Sequence, residues 1–160
     1  EDYHLPLGHS VLSAKKEINE ENFILSMSDH IVSPNAIKRM VNSPQRGDSC
    51  ELLTDIKFNN IFWIDDAAKV KLEGKNILEI SKELKQYDAI DCGVFKCTPI
   101  VFPLLEKLKN SGKCSMSEAA TSLGKEGKMR SFDIEKDIWI DIDEKEELIA
   151  AEKMFKNILI

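Results

Sequence analysis

A chain of 160 residues and 18.1 kDa suffices for one compact domain and falls short of two full-sized ones. Apolar residues make up 42% and charged residues 31%, the balance of a globular rather than a disordered chain. A net charge of −6 argues against a broad nucleic-acid or anionic-membrane surface, whose affinity comes from basic stripes, and no apolar run reaches the roughly 18–20 residues that span a bilayer. The chain opens Glu1-Asp2-Tyr3-His4, with neither a signal-peptide pattern nor an initiating methionine, so a piece of a longer protein is expected. Cys50, Cys92, Cys97 and Cys114 contain no C-x-x-C pair, and His4, His9 and His30 form no H-E-x-x-H. Neither a zinc site nor a disulfide scaffold is expected; reduced thiols in a cytoplasmic protein are the plain reading.

In chain order, residues 10–18 carry Val11, Leu12, Ala14 and Ile18 on roughly one helical face. Residues 23–28 (FILSMS) have the pattern of a buried strand. Ser33-Pro34 offers an N-cap and a proline at the first helical position, ahead of Ala36, Ile37, Met40 and Val41. Residues 43–50 read as a loop, and 51–64 hold two apolar clusters, Leu52-Leu53 and 61–64. Val70–Leu72 and Ile77–Ile80 suggest a hairpin turning at Glu73-Gly74-Lys75. A strand is expected over 89–95, interrupted by Gly93. Pro99 then opens a helix with Ile100, Val101, Leu104, Leu105 and Leu108 inward. Ser115 and Glu118 make a capping box for a helix that Gly124 ends. Residues 132–134 and 138–142 are strand-like. A last helix from about Lys145 carries Leu148, Ala151, Phe155, Ile158 and Leu159 on one face, with Asp143 and Glu146 as its capping box. Helices alternating with strands predict an α/β fold, a mixed and mostly parallel sheet with flanking helices and a β-hairpin excursion, undivided over 1–160.

Open α/β sheets bind ligands beyond the carboxyl ends of their strands, and two acidic sites fall there. Asp29 follows the apolar strand 23–28. Asp141 and Asp143 lie in Trp139-Ile-Asp-Ile-Asp143, where strand alternation puts both on one side and their charges repel unless a cation or solvent intervenes. Carboxylates from two strand ends can hold Mg2+, a hard cation that keeps waters and substrate phosphates in its shell. Each also has a bland reading, Asp29 as a loop cap and Asp143 as an N-cap. Lys82 could reach a phosphate or be a solvated surface lysine. Gly8-His9-Ser10 precedes a helix, where free backbone donors suit an anion, or it is an ordinary loop. The segment Gly124–Arg130 reads as a helix C-cap and a basic turn more readily than as a phosphate loop, and neither G-x-x-x-x-G-K-[ST] nor G-x-G-x-x-G occurs. Cys92 and Cys97 have no histidine nearby in sequence and read as packing residues.

Four segments in order carry a resemblance: Met27-Ser-Asp-His30 after an apolar strand, Asp66-Ala-Ala-Lys-Val70 before a hairpin, Tyr87-Asp-Ala-Ile-Asp-Cys-Gly-Val-Phe95, and Trp139-Ile-Asp-Ile-Asp143. Over almost its whole length the chain resembles the sugar-phosphate nucleotidyltransferases, with the CTP:inositol-1-phosphate cytidylyltransferases and phosphocholine cytidylyltransferase-like proteins nearest in pattern. The resemblance implies that Asp29 and Asp141 are magnesium ligands and that Asp143 is a second acidic position of the cytidylyltransferase branch. It implies that Lys82 contacts the acceptor phosphate, that Gly93 in the Asp91-Cys-Gly93 turn lines the acceptor pocket, and that Gly8-His9-Ser10 touches the nucleotide base. The expected partners are a nucleoside triphosphate, with CTP favoured, and a small phosphorylated alcohol or sugar. The family's glycine-rich loop, with its arginine and Lys-Pro pair, has no match here. On the family's layout about 70–90 residues would precede Glu1, leaving 1–160 as the C-terminal two-thirds of a single domain. An incomplete domain would expose sheet edge and apolar surface and invite self-association. The competing expectations are a non-catalytic nucleotide- or sugar-phosphate-binding module, and a glycosyltransferase, whose D-x-D is poorly matched by Ser28-Asp29-His30.

Overall fold

The computed structural model describes residues 5–18, 22–58 and 64–156. Its elements are α1 (Gly8–Ser13), β1 (Phe23–Ser26), β2 (His30–Val32), α2 (Pro34–Asn42), β3 (Cys50–Asp55), β4 (Lys69–Glu73), β5 (Asn76–Ser81), β6 (Ala89–Cys97), α3 (Val101–Asn110), α4 (Met116–Lys125), β7 (Met129–Asp133), β8 (Trp139–Asp141) and α5 (Lys145–Phe155). Of the apolar cluster 61–64, residues 61–63 lie outside the described residues, as do Ile158 and Leu159 of the last helical face.

Six strands form one sheet in the order β1-β6-β3-β7-β5-β4, with β4 also pairing β6, and β2 and β8 form a separate two-stranded ladder. β6 is the spine of the larger sheet. Its alternation sends Ala89, Phe95 and Cys97 into one core and Ile90, Cys92 and Val94 into the other. The first core is covered by Val11 of α1, Val101, Phe102 and Leu105 of α3, and Met116, Ala119, Ala120 and Leu123 of α4. The second is covered by Ala36 and Met40 of α2, together with Val32 of β2 and Trp139 of β8. Ala151 and Phe155 of α5 pack on Ile140 of β8.

The α/β class, the mixed sheet and the flanking helices are as expected; the strand directions are not. Among the described strands only β3 and β7 pair in parallel. The β4–β5 hairpin turns at Gly74 as the sequence suggested, but the mostly parallel sheet expected from alternating helices and strands is not found among the described strands, since β6 runs antiparallel to β1, β3 and β4. The segment 23–28 also resolves differently. It is a four-residue, half-buried edge strand on β6, followed by a separate strand from His30.

Several local signals have other causes than expected. Ser33 occupies the α2 N-cap position, yet its hydroxyl donates to Asp137 instead of capping the helix. The Ser115–Glu118 capping box is present. Gly124 does not end α4. It lies in the last turn against the backbone carbonyl of Ile77, where a Cβ would collide, and the chain reverses at Gly127, with φ +68. Gly93 does not interrupt β6; at φ +73 it sits within a shift of the β3–β6 register that falls between Leu52 and Thr54 on β3.

Candidate active site

The short β2–β8 ladder builds the site. Its antiparallel register sets His30 opposite Asp141, Ile31 opposite Ile140 and Val32 opposite Trp139. Directly opposed residues share a face, so the His30 and Asp141 side chains meet. One residue before β2, the Asp29 carbonyl accepts the Ile142 N–H at 2.9 Å, which extends the ladder and brings Asp29 alongside. The His30 Nδ1 lies 3.0 Å from Asp29 Oδ1 and 3.4 Å from Asp141 Oδ1. One ligating atom from each of the three residues falls within 4.8 Å of the others. The two aspartates that the sequence placed at separate strand ends thus converge, with His30 between them.

The His30 ring is fixed from two sides. It stacks on Trp139, centroids 5.7 Å apart and planes 13° from parallel. On another side it lies so close to Gly93 that a Cβ there would overlap the ring. Trp139 is held in turn by its indole N–H, which donates to Asp55 Oδ2 at 3.2 Å.

The cluster opens into a cleft of about 540 Å³. Asp55, Asp66, Asp91, Asp137, Asp141, Asp143, Glu144 and Glu147 line it, with Met27, Phe95, Met116 and Met154 among the apolar lining, and no lysine or arginine of the described residues does so. Burial, with like charge adding to it, raises two of these carboxyls, Asp141 and Asp91. Burial pushes the Asp141 carboxyl above its ordinary value, with Asp143 and Asp29 adding to the rise and His30 opposing it. Burial likewise pushes Asp91 up to about 6, against the Gly93 N–H that it accepts at 2.7 Å. A folded-state pKa above the ordinary carboxylate value means that ionised Asp91 destabilises the fold above about pH 6, and that the cost is relieved as the pH falls toward 4. Asp91→Asn, which keeps an acceptor for Gly93, is expected to raise metal-free stability at pH 7.5 by on the order of 2 kcal/mol. It should have little effect at pH 4; urea unfolding at the two pH values is the measurement.

The sequence-derived candidates divide. Asp91, Gly93, Asp141 and Asp143 line the cleft, whereas Asp29 is not among its lining residues and joins the site through His30 and Asp141. Asp143 is not the cap of α5. Glu144 is the N-cap residue, and Glu147 accepts the N–H groups of both Glu144 and Asp143, so the capping box lies one residue later than expected and leaves the Asp143 carboxylate free. Lys82 does not line the cleft; its ammonium reaches Asp66, which does, at 3.1 Å. Gly8, His9 and Ser10 are not among the lining residues either. They form the first turn of α1 itself, with the Gly8 N–H on the Cys114 carbonyl and no room for a Cβ against Cys114 and Leu105. All four cysteines are free and buried. His30, Trp139, Asp55 and Asp137 also line the cleft; the sequence assigned none of them a role, although His30 and Trp139 stand in segments that carry the resemblance. The matching alternation of His30-Ile-Val32 and Trp139-Ile-Asp141 was the one signal that could have paired them.

Two carboxylates brought within 4.8 Å of each other at one end of the ladder supply the hard oxygen donors that a divalent cation such as Mg2+ takes. Asp141 Oδ1 strengthens that fit, being buried without any hydrogen-bond partner.

No family model matches the sequence. A bifunctional IPC transferase and DIPP synthase of Thermococcus kodakarensis is 33% identical over 151 residues, covering 92% of this chain and 32% of that protein. The protein of the same name from Archaeoglobus fulgidus is 29% identical over 146 residues, covering 91% and 27%. The chain therefore spans about a third of the length of the curated relatives it matches. Among solved structures, the inositol-1-phosphate CTP transferase of T. maritima superposes with a TM-score of 0.85 at 23% identity, over 99% of this chain and 64% of that one. A putative glucose-1-phosphate thymidylyltransferase of Bacillus anthracis gives 0.80 at 13% identity, with the same coverage. The resemblance to sugar-phosphate nucleotidyltransferases is borne out, and the fold is theirs. No helix of the described residues is long and apolar enough to cross a membrane.

Proposed function

We propose that this chain carries the metal and acceptor portion of a cytidylyltransferase, which joins CMP from CTP to a phosphorylated polyol and releases pyrophosphate. Inositol 1-phosphate is the favoured acceptor, being the one named for the T. maritima transferase whose fold this chain shares. The observation that carries the reading is the meeting of Asp29, His30 and Asp141 at the β2–β8 ladder, His30 and Asp141 lining a cleft large enough for a small phosphorylated alcohol.

In the reaction, a phosphomonoester oxygen attacks the α-phosphorus of the triphosphate. The attacking group is already anionic at neutral pH, so no protein base is required. The difficulty is holding two mutually repelling anions in line. Asp29 and Asp141 would hold Mg2+, with Asp143 beside them, and the ion supplies charge neutralisation and orientation of the phosphoryl group. The chain's own residues do the positioning. Trp139 and Gly93 fix the His30 ring, His30 holds the two carboxylates in one place, and Asp91 is set to accept from an acceptor hydroxyl beside the Gly93 turn.

Lys82 supplies the missing local cation by leaving Asp66 for the acceptor phosphate. Its ammonium is exposed, so the switch breaks only a solvent-screened pair. Lys82→Ala is expected to raise the KM for the acceptor by about tenfold, the loss of one charge-assisted contact, and to leave the KM for CTP within about twofold. The proposal as a whole is tested by release of pyrophosphate from CTP in the full-length protein, with inositol 1-phosphate and Mg2+ present. No release with any phosphorylated polyol or amino alcohol would exclude it.

A further inference from the structure

The ladder that assembles the site has only three paired residues on each strand, and strands that short specify their own register weakly. A slip of one residue would set an isoleucine, Ile140 or Ile142, opposite His30 in place of Asp141. Something outside the ladder must hold the register, and it lies at the far end from the cluster. There the Ser33 N–H donates to the Ile138 carbonyl at 2.9 Å as the last rung. The next residue along, Asp137, has a side chain only 9% exposed that takes hydrogen bonds from three residues of the segment following β2. Ser33 Oγ reaches it at 3.2 Å, Asn35 Nδ2 bridges both its oxygens at 3.1 and 2.9 Å, and Arg39 reaches Oδ2 from Nε and Nη2 at 3.3 and 3.1 Å. Arg39 also donates to the Ile134 carbonyl at 2.7 Å, so the residues leading into β8 are held at two points from α2.

We propose that Asp137 is a positioning residue: it pins β8 to the β2–α2 junction and thereby sets the register that brings Asp141 to Asp29 and His30. A buried carboxylate with this many donors is expensive to strip of any one, so the pairing it enforces has few alternatives. The consequence for the cation rests on the reading that the cluster binds one; the pin itself does not.

Two measurements on this chain separate the claims. The first is amide exchange at Ser33 and Ile142, the N–H groups that close the two ends of the ladder. The second is the affinity for Mn2+ alone, by calorimetry. Asp137→Ala is expected to speed exchange at both amides at least about tenfold, with the β3–β6 ladder unchanged, and to weaken Mn2+ binding at least about tenfold. Asn35→Ala removes an exposed donor and should fold without difficulty; a smaller change in the same direction is expected. Leu105→Ala, a core truncation on the opposite face of the sheet, should move neither reading before global unfolding. The proposal is overturned if folded Asp137→Ala or Asn35→Ala keeps native exchange at Ser33 and Ile142, or if Leu105→Ala reproduces their effects. A wild-type chain that shows the exchange pattern but binds no Mn2+ would support the pin and remove the cation reading.

Discussion

Alanine at Asp141 is expected to lower kcat for CMP transfer at least about a thousandfold, and alanine at Asp29 comparably. A cation placed to neutralise phosphate charge contributes several kcal/mol to such a transition state, and each 1.4 kcal/mol or so is a factor of ten. The structural cost of either change should be small. Asp141 Oδ1 has no hydrogen-bond partner, only the His30 ring at 3.4 Å, and Asp29 loses one exposed contact to His30 at 3.0 Å, while the Asp29–Ile142 backbone bond is kept. Removing Asp141 also relieves crowding with Asp29 and Asp143, so thermal stability without metal should stay level or rise while turnover collapses. Pyrophosphate release and a melting curve, both measured on the same variant, check the pair of outcomes. Turnover within tenfold of wild type in both single variants and in the double variant would exclude the carboxylates from the chemistry.

Gly93→Ala should be the most damaging single methyl group in the site. At φ +73 the backbone already penalises a side chain by about 1 kcal/mol, and the added Cβ would overlap the His30 ring. The ring cannot retreat without breaking its stack on Trp139, whose indole is tied to Asp55. His30 must therefore swing away from Asp29 and Asp141. We expect a stability loss of about 2 kcal/mol or more and a fall in kcat/KM of at least about a hundredfold. His30→Ala combined with Gly93→Ala should recover much of the stability, since the clash is gone, without recovering the activity. Urea unfolding of the single and double variants gives the coupling directly.

Much of this site could be read from the chain before folding, because its parts are local. Asp29 and Asp141 each stand beside an apolar strand, Gly93 interrupts an apolar run, and the Ser115–Glu118 box announces its own helix. What could not be read depends on distant partners. Strand direction is not encoded locally, because an apolar run such as 89–97 looks the same whether its neighbours are parallel or antiparallel. His30 acquires its neighbours only because β8 lies against β2. Asp137 carries no local signal at all, since its partners are 98 to 104 residues away in the chain. Gly124 misled for the opposite reason. A glycine late in a helix suggests a cap, whereas here a strand carbonyl presses on it from outside the helix.

The carboxylates around the cleft also bear on how substrates arrive. A free triphosphate or phosphomonoester approaching that mouth meets a repulsive field, reinforced by a molecule of net charge −6. If those are the substrates, encounter is expected to be slower for the bare anion than for one already carrying its counter-ion, and to be accelerated by added salt, which shortens the reach of the repulsion. On the proposed reading, the same field would hasten the departure of pyrophosphate once its ion is shed, so that the polarity hindering entry would favour release.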